Sequence, residues 1–176
     1  MHSGYWMIAT LAIPLLAAAA LLFVPDERRD WVRWLGVAAG AALFVVSTYI
    51  FFAYEIGRDG GEYQFFIRWD WLQNVGFLGE HGISLALGVD GIAAPMVLLT
   101  GIVAFGGTLI SWKIEEHNKD FFILFFVLVS GVYGTFQSLD LFFFFFWYEV
   151  AVLPMYLLIA VWGSMGPCFR CSPTAS

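Results

Sequence analysis

Hydrophobic and polar residues are grouped into separate segments along this chain. Five long runs are almost entirely apolar, and shorter polar stretches separate them. Each run comes close to the roughly 20 residues that a helix needs to cross about 30 Å of hydrocarbon. Backbone polar groups inside lipid must be paired within the segment, and the alternating polar positions of a membrane barrel are missing, so the runs are expected to be helical. The predicted spans are 5–24, 34–54, 91–110, 121–137 and 141–162.

The composition agrees with an all-α membrane protein of about five transmembrane helices. Of the 176 residues, 61% are hydrophobic and only 12% are charged. Several apolar runs of this length have no counterpart in a soluble domain. The net charge of -6 argues against nucleic acid or anionic lipid as a binding partner. Because the chain consists largely of apolar runs, the first partner that we expect is the lipid bilayer.

The longest connection, residues 55–90, is too polar and too rich in glycine to cross a membrane. Within it, the stretches "EYQFFIRWDW" and "GISLALGVDG" have the character of short strands on either side of a glycine-containing turn. We predict a small hairpin on the outer surface between helices 2 and 3, with an irregular loop as the alternative.

Basic residues in the connections predict the orientation of the chain. If the amino terminus is outside, Arg58 and Arg68 lie on the outer side, and the other six basic residues lie on the inner side. The first apolar run lacks a basic region before it, so we interpret it as a retained span and not as a signal peptide. The inner basic residues are Arg28, Arg29, Arg33, Lys113, Lys119 and Arg170.

Several residues predict local structure. Asp90 precedes the third apolar run and can cap that helix, and Asp140 or Ser138 can cap the fifth. Gly36 and Gly40 form a GxxxG motif in the second span, which lets another helix approach closely.

No cofactor or metal site is expected in this chain. There is no glycine-rich nucleotide-binding motif in the required strand and helix context. Cys168 and Cys171 supply only two of the four ligands that a structural zinc ion needs. The three histidines, His2, His81 and His117, fall in terminal or loop positions, where a solvated side chain is the ordinary interpretation.

Glu149 is the residue with the clearest chemical potential. It lies in the stretch "FFFFFWYEVAVLP" and is the ninth residue of the predicted fifth helix, which places it about 12 Å from the start of that helix. A charged residue at the centre of a membrane helix costs about 2.5 to 3.5 kcal/mol. The carboxyl group must therefore stay protonated or face a basic partner or water, and either arrangement makes it a candidate proton relay.

Pro154 follows Glu149 by five residues and strengthens this hypothesis. Proline has no N–H to donate to the carbonyl of Val150, so we expect a lost bond, a helix break or bend, and local water beside Glu149. The alternative is that Pro154 is a tolerated kink and that Glu149 is hydrogen-bonded for packing. The preceding Phe142–Phe146 run is interpreted as apolar bulk.

Three stretches carry a resemblance to a known family: "LGVDGIAAPMVLLTGI", "SWKIEEHNKDFF" and "LDLFFFFFWYEVAVLPMYLLIAVWG". They resemble the amino-terminal third of subunit M, also called chain 4, of the proton-pumping NADH-quinone oxidoreductase, respiratory complex I. The resemblance covers nearly all of residues 5–163. It implies an antiporter-like proton-translocating membrane subunit in which Glu149 pairs with a lysine of a later helix. Asp140 also matches a family position, as the acid at a helix start.

The resemblance also implies the surroundings of the chain. NADH, FMN, iron-sulfur clusters and quinone would bind in or between other subunits, and the partners would be other complex I membrane subunits. The location would be the bacterial inner membrane. Alternatives are a subunit of a multisubunit cation/proton antiporter or membrane-bound hydrogenase, and a non-catalytic membrane remnant.

The carboxyl-terminal residues depart from the family pattern. Residues 1–163 are expected to form the transmembrane part. Residues 164–176, "SMGPCFRCSPTAS", replace the charged loop that the family has there. We interpret this divergent tail as the result of a truncation or a frameshift, which leaves the paired lysine outside this polypeptide.

Overall fold

Over the residues that the structure describes, the fold is a bundle of five long helices with one β-hairpin, as predicted. The computed structural model describes residues 5–23, 29–54, 64–72, 83–113 and 118–163. All five helices are long and apolar enough to cross a membrane, and the chain is an integral membrane protein. The elements are α1 (Tyr5–Phe23), α2 (Arg29–Ala53), β1 (Gln64–Leu72), β2 (Ile83–Val89), α3 (Ala93–Ile110), a 3-10 turn (Ser111–Lys113), α4 (Asn118–Gln137) and α5 (Leu141–Trp162).

Two helices begin earlier than the apolar runs that predicted them. Helix α2 starts at Arg29 and α4 at Asn118, because a helix can continue through polar residues at the membrane surface where hydropathy no longer marks it. Helix α3 begins just after Asp90, whose Oδ1 accepts hydrogen bonds from the N–H groups of Ile92 at 3.1 Å and Ala93 at 2.6 Å. The predicted capping role of Asp90 is confirmed.

Helix α4 lies at the centre of the bundle and contacts all four other helices. Gly36 and Gly40 of α2 allow the close approach that their spacing predicted. A Cβ atom added at Gly36 would lie 2.9 Å from the Phe122 ring of α4, and one at Gly40 would lie 2.7 Å from the Thr108 hydroxyl of α3. The two glycines therefore seat two different helices.

Buried hydrogen bonds join α1 and α2 to α4. The Gln137 side-chain amide donates to the Thr10 hydroxyl at 2.8 Å, and the hydroxyls of Ser47 and Tyr133 are 2.7 Å apart. All four side chains are fully buried. Hydrogen bonds of this kind hold transmembrane helices together where lipid supplies no hydrophobic driving force.

The hairpin consists of β1 and β2 paired antiparallel, with Arg68 opposite Ala86. Its second strand is bound to the turn between α4 and α5: the N–H of Leu139 donates to the carbonyl of Ala86 at 2.9 Å, and Leu87 forms an isolated bridge with Ser138. The predicted hairpin is thus confirmed over the irregular loop, and it contacts the chain immediately before α5.

Candidate functional site

Glu149 lies within α5 on the face that points away from the rest of the bundle. It is the ninth of the 22 residues of α5, which places it about 12 Å along the helix axis. Its side chain is exposed, and within the described part of the chain no hydrogen bond or ion pair reaches its carboxylate. The depth predicted from the sequence therefore combines with an outward direction that the sequence did not predict.

The opposite face of α5 packs against α4. Its members recur at helical spacing, and they are more buried than most of the residues between them. They are Phe143, Trp147, Ala151, Pro154 and Leu158. With about 100° of rotation per residue, this spacing gives one continuous stripe along the helix.

Pro154 is buried in this stripe on the side of α4, and α5 continues without interruption to Trp162. The carbonyl of Val150 has no N–H from position 154, because proline lacks one. The bend and the bound water expected beside Glu149 stay predictions.

Asp140 caps α5, as one of the two predicted alternatives. It has an extended backbone with φ -97° and ψ 132°, and its carboxylate accepts a hydrogen bond from the N–H of Phe142 at 2.9 Å. The Ser138 hydroxyl instead donates to the carbonyl of Asp140 at 3.1 Å. Asp140 is nine residues before Glu149, or about 13 Å along the helix, so the structure does not bring the two acids together.

Large apolar side chains surround Glu149 on the exposed face. Phe145 and Leu153, one turn before and one turn after it, are 57% and 64% exposed, and Tyr156 is 70% exposed. Hydrocarbon or protein can cover such a face, but an ionised carboxylate within it is unfavourable against hydrocarbon. The exposed face of α5 thus combines one carboxyl group with large apolar side chains.

The sequence analysis missed the glycines that bring α4 and α5 together. A Cβ atom at Gly134 would overlap the indole of Trp147, and one at Gly131 would lie 2.7 Å from the backbone nitrogen of Ala151. The spacing "SGVYG" in α4 was an available signal. It did not identify which helix the glycines face.

The cysteines and histidines of the chain are not among the residues that the structure describes. They are Cys168, Cys171, His2, His81 and His117. Across the described ranges, no group of three or more His, Cys, Asp or Glu side chains comes together to hold a metal ion.

Comparison with known proteins gave relatives that match most of the chain. No family model matches it. It is 34% identical over 158 residues to "NAD(P)H-quinone oxidoreductase chain 4 2" of Trichodesmium erythraeum, covering 90% of this chain and 27% of the relative. It is 35% identical over 164 residues to "NAD(P)H-quinone oxidoreductase chain 4-3" of Nostoc sp., covering 93% and 28%. The chloroplastic chain 4 of Mesostigma viride is 31% identical, with 93% and 31% covered. The chain thus spans less than a third of the length of these relatives.

Two solved structures share the fold. A chain of respiratory complex I from Thermus thermophilus with bound NADH superposes with a TM-score of 0.69 at 24% identity, covering 91% of this chain and 30% of that one. A chain of the membrane-bound sulfane sulfur reductase, an archaeal respiratory membrane complex, superposes with a TM-score of 0.68 at 18% identity, covering 88% and 30%.

Proposed function

Because the chain is homologous to NAD(P)H-quinone oxidoreductase chain 4, we propose that it forms part of a membrane subunit that translocates protons while other subunits oxidise NADH and reduce quinone. Glu149 is the protonatable coupling residue in this proposal. The observation that carries it is an acid well inside a membrane-spanning helix, directed away from the helices that the structure describes.

The energetics of burial support a covered position for Glu149. An ionised side chain facing lipid at this depth costs about 2.5 to 3.5 kcal/mol. The cost falls if the exposed face of α5 lies against other protein that supplies a cation or water. A site of this kind is also where ionisable residues inside membranes form proton pathways.

The proposed step is a proton exchange at the Glu149 carboxylate. When a cationic side chain approaches, the ionised carboxylate is favoured and its proton passes to neighbouring water. When the cation withdraws, the carboxylate takes up a proton from water on the other side of the pathway. In this proposal Pro154 leaves the Val150 carbonyl without the N–H of residue 154, and Asp140 fixes the start of the helix.

The partners and location follow from the same proposal. Other complex I membrane subunits cover the exposed helix faces, and subunits outside this chain hold FMN, the iron-sulfur clusters and the NADH and quinone sites. The distribution of basic residues supports a bacterial inner-membrane orientation with the amino terminus outside.

The test is Glu149→Gln in the full-length subunit, assembled in its respiratory complex and reconstituted in vesicles. We expect proton translocation and coupled quinone reduction to be abolished or strongly reduced, because the amide keeps the shape but cannot exchange the proton. Tyr148→Phe, at the neighbouring exposed position, is the matched control and should behave as wild type. Unchanged translocation in Glu149→Gln would overturn the assigned role.

The similarity of the fold to a chain of the archaeal sulfane sulfur reductase complex favours a second candidate. In this second candidate function, the chain belongs to an antiporter-like subunit of another membrane complex, such as a cation/proton antiporter or a membrane-bound hydrogenase. Co-purification separates the possibilities. Flavin-bearing and quinone-reducing subunits support the first proposal, and cation-antiporter subunits support the second. Recovery of the chain alone supports a non-catalytic remnant.

A further inference from the structure

The interface between α4 and α5 contains two positions where no side chain fits. At Gly131, an added Cβ atom would lie 2.7 Å from the backbone nitrogen and 2.9 Å from the Cα atom of Ala151. At Gly134, it would overlap the indole of Trp147 and lie 2.8 Å from its Cε3 atom. The backbone of α4 therefore lies directly against α5 at two points.

These two points lie on the side of α5 opposite to Glu149. Trp147 is two residues before Glu149 and Ala151 is two residues after it, and two residues correspond to about 200° of rotation around a helix. Because the two contacts are one turn apart, rotation of α5 about its axis would drive the indole or the Ala151 backbone into α4. The direction of Glu149 is thus tied to how Trp147 and Ala151 are seated.

The identity of residue 147 supports a role for its shape. Five phenylalanines precede Trp147, and a sixth would avoid the indole N–H. That N–H is buried and finds no hydrogen-bond partner among the described residues, although an unpaired buried donor costs about 1 to 3 kcal/mol. We attribute the presence of tryptophan at position 147 to packing, because its larger ring fills the space above Gly134 and offsets the cost of the unpaired N–H.

We infer that Gly134 and Trp147 are positioning residues that fix the rotation of α5 and hold Glu149 away from α4. The inference rests on the proposed function, because Glu149 must face its partner to exchange a proton. Gly131 and Ala151 form the second contact and keep the helices at the distance that the first requires.

The test places Gly134→Ala in the full-length subunit of the assembled complex. The carboxyl infrared band of Glu149 is identified as the band that Glu149→Gln removes, and we expect Gly134→Ala to shift it. We also expect roughly a tenfold loss in the rate of coupled proton translocation, within the range of rate losses that a misplacement of about 1 Å causes in catalytic sites.

Two comparisons make the test specific to this contact. In the Trp147→Phe background, Gly134→Ala should cause no further change in either readout, because the smaller ring leaves room for the methyl group. The double variant should therefore match Trp147→Phe alone. Gly106→Ala of α3 is the matched control, since a Cβ atom there meets nothing within 4 Å. It should leave the band and the rate of proton translocation unchanged.

A wild-type band and a wild-type rate of proton translocation in Gly134→Ala would overturn the inference. If this variant does not assemble, Trp147→Ala decides instead: it removes the ring without a clash, and an unshifted band would again contradict the positioning role. The two proposals fail separately. Normal pumping by Glu149→Gln overturns the proposed function, whereas loss of pumping there with an unaltered Gly134→Ala overturns only the positioning role.

Discussion

Helices α1–α4 are each buried to a much larger extent than helix α5. Of the residues in the apolar part of each helix, between 28% and 44% are buried in α1–α4, against 6% in α5. The polar side chains Thr10, Gln137, Ser47 and Tyr133 pair with one another inside the bundle. Glu149 of α5 has no such partner in the described residues. The paired polar groups of the bundle join helices, whereas the Glu149 carboxylate joins α5 to no other described helix.

Helix α4 shows how one helix serves both regions. Its Tyr133 and Gln137 side chains form the buried hydrogen bonds, and its Gly131 and Gly134 receive α5. Membrane helices associate through these two means, polar pairs and close backbone packing. The bundle side combines both means, since Gly36 and Gly40 also allow close approach there, whereas α5 packs closely against Gly131 and Gly134.

The largest expected effect concerns the insertion of α5 into the membrane. Glu149→Leu should make insertion more favourable by about 3 kcal/mol, because a charged group is replaced by an apolar one near the middle of the span. A glycosylation reporter on either side of the α5 segment measures this equilibrium. Leu153→Val, one turn away, is the control and should change insertion little. An equal effect of both substitutions would contradict the claim that the Glu149 carboxyl group disfavours the insertion of α5.

A smaller effect is expected inside the bundle from Gly101→Ala. The added methyl group would lie 2.7 Å from the Ser47 hydroxyl and 3.2 Å from the Tyr133 hydroxyl. Overpacking of this kind destabilises by about 1 to 3 kcal/mol. Reversible unfolding in detergent gives the free energy, with Gly106→Ala as the matched control in open space. Equal stability of the two variants would contradict the packing described for this interface.

The smallest effect is expected for the hydrogen bond between α1 and α4. A double-mutant cycle of Thr10→Val and Gln137→Leu should give a coupling free energy of about 0.6 kcal/mol, the average measured for such bonds within membranes, and at most about 1.7 kcal/mol. The same unfolding assay measures it. Strict additivity of the two substitutions would show that this pair does not join the helices.

The sequence was sufficient for the existence of the helices but not for their arrangement. Long apolar runs predicted five spans, and short strand-like stretches predicted the hairpin. The start of α2 at Arg29 was missed, because hydropathy marks the lipid-facing part of a helix and not its first polar turn. The pairing of Thr10 with Gln137 joins residues 127 positions apart, and it depends on helix order and rotation that no local pattern contains.

The candidate site divides in the same way. The depth of Glu149 follows from counting residues along α5, and the capping role of Asp140 follows from its position before the helix. The direction of Glu149 did not follow, because α5 is apolar around nearly its whole circumference and no hydrophobic stripe indicates the buried side. That direction depends on Gly131 and Gly134, which lie on a different helix.

Both proposals need the exposed face of α5 around Glu149 to lie against other protein. A photoreactive amino acid in place of Leu153, on the same face and 64% exposed, tests this in the assembled complex. We expect irradiation to join α5 to another protein segment. Adducts formed only with lipid would show that this face meets the bilayer and would overturn both proposals.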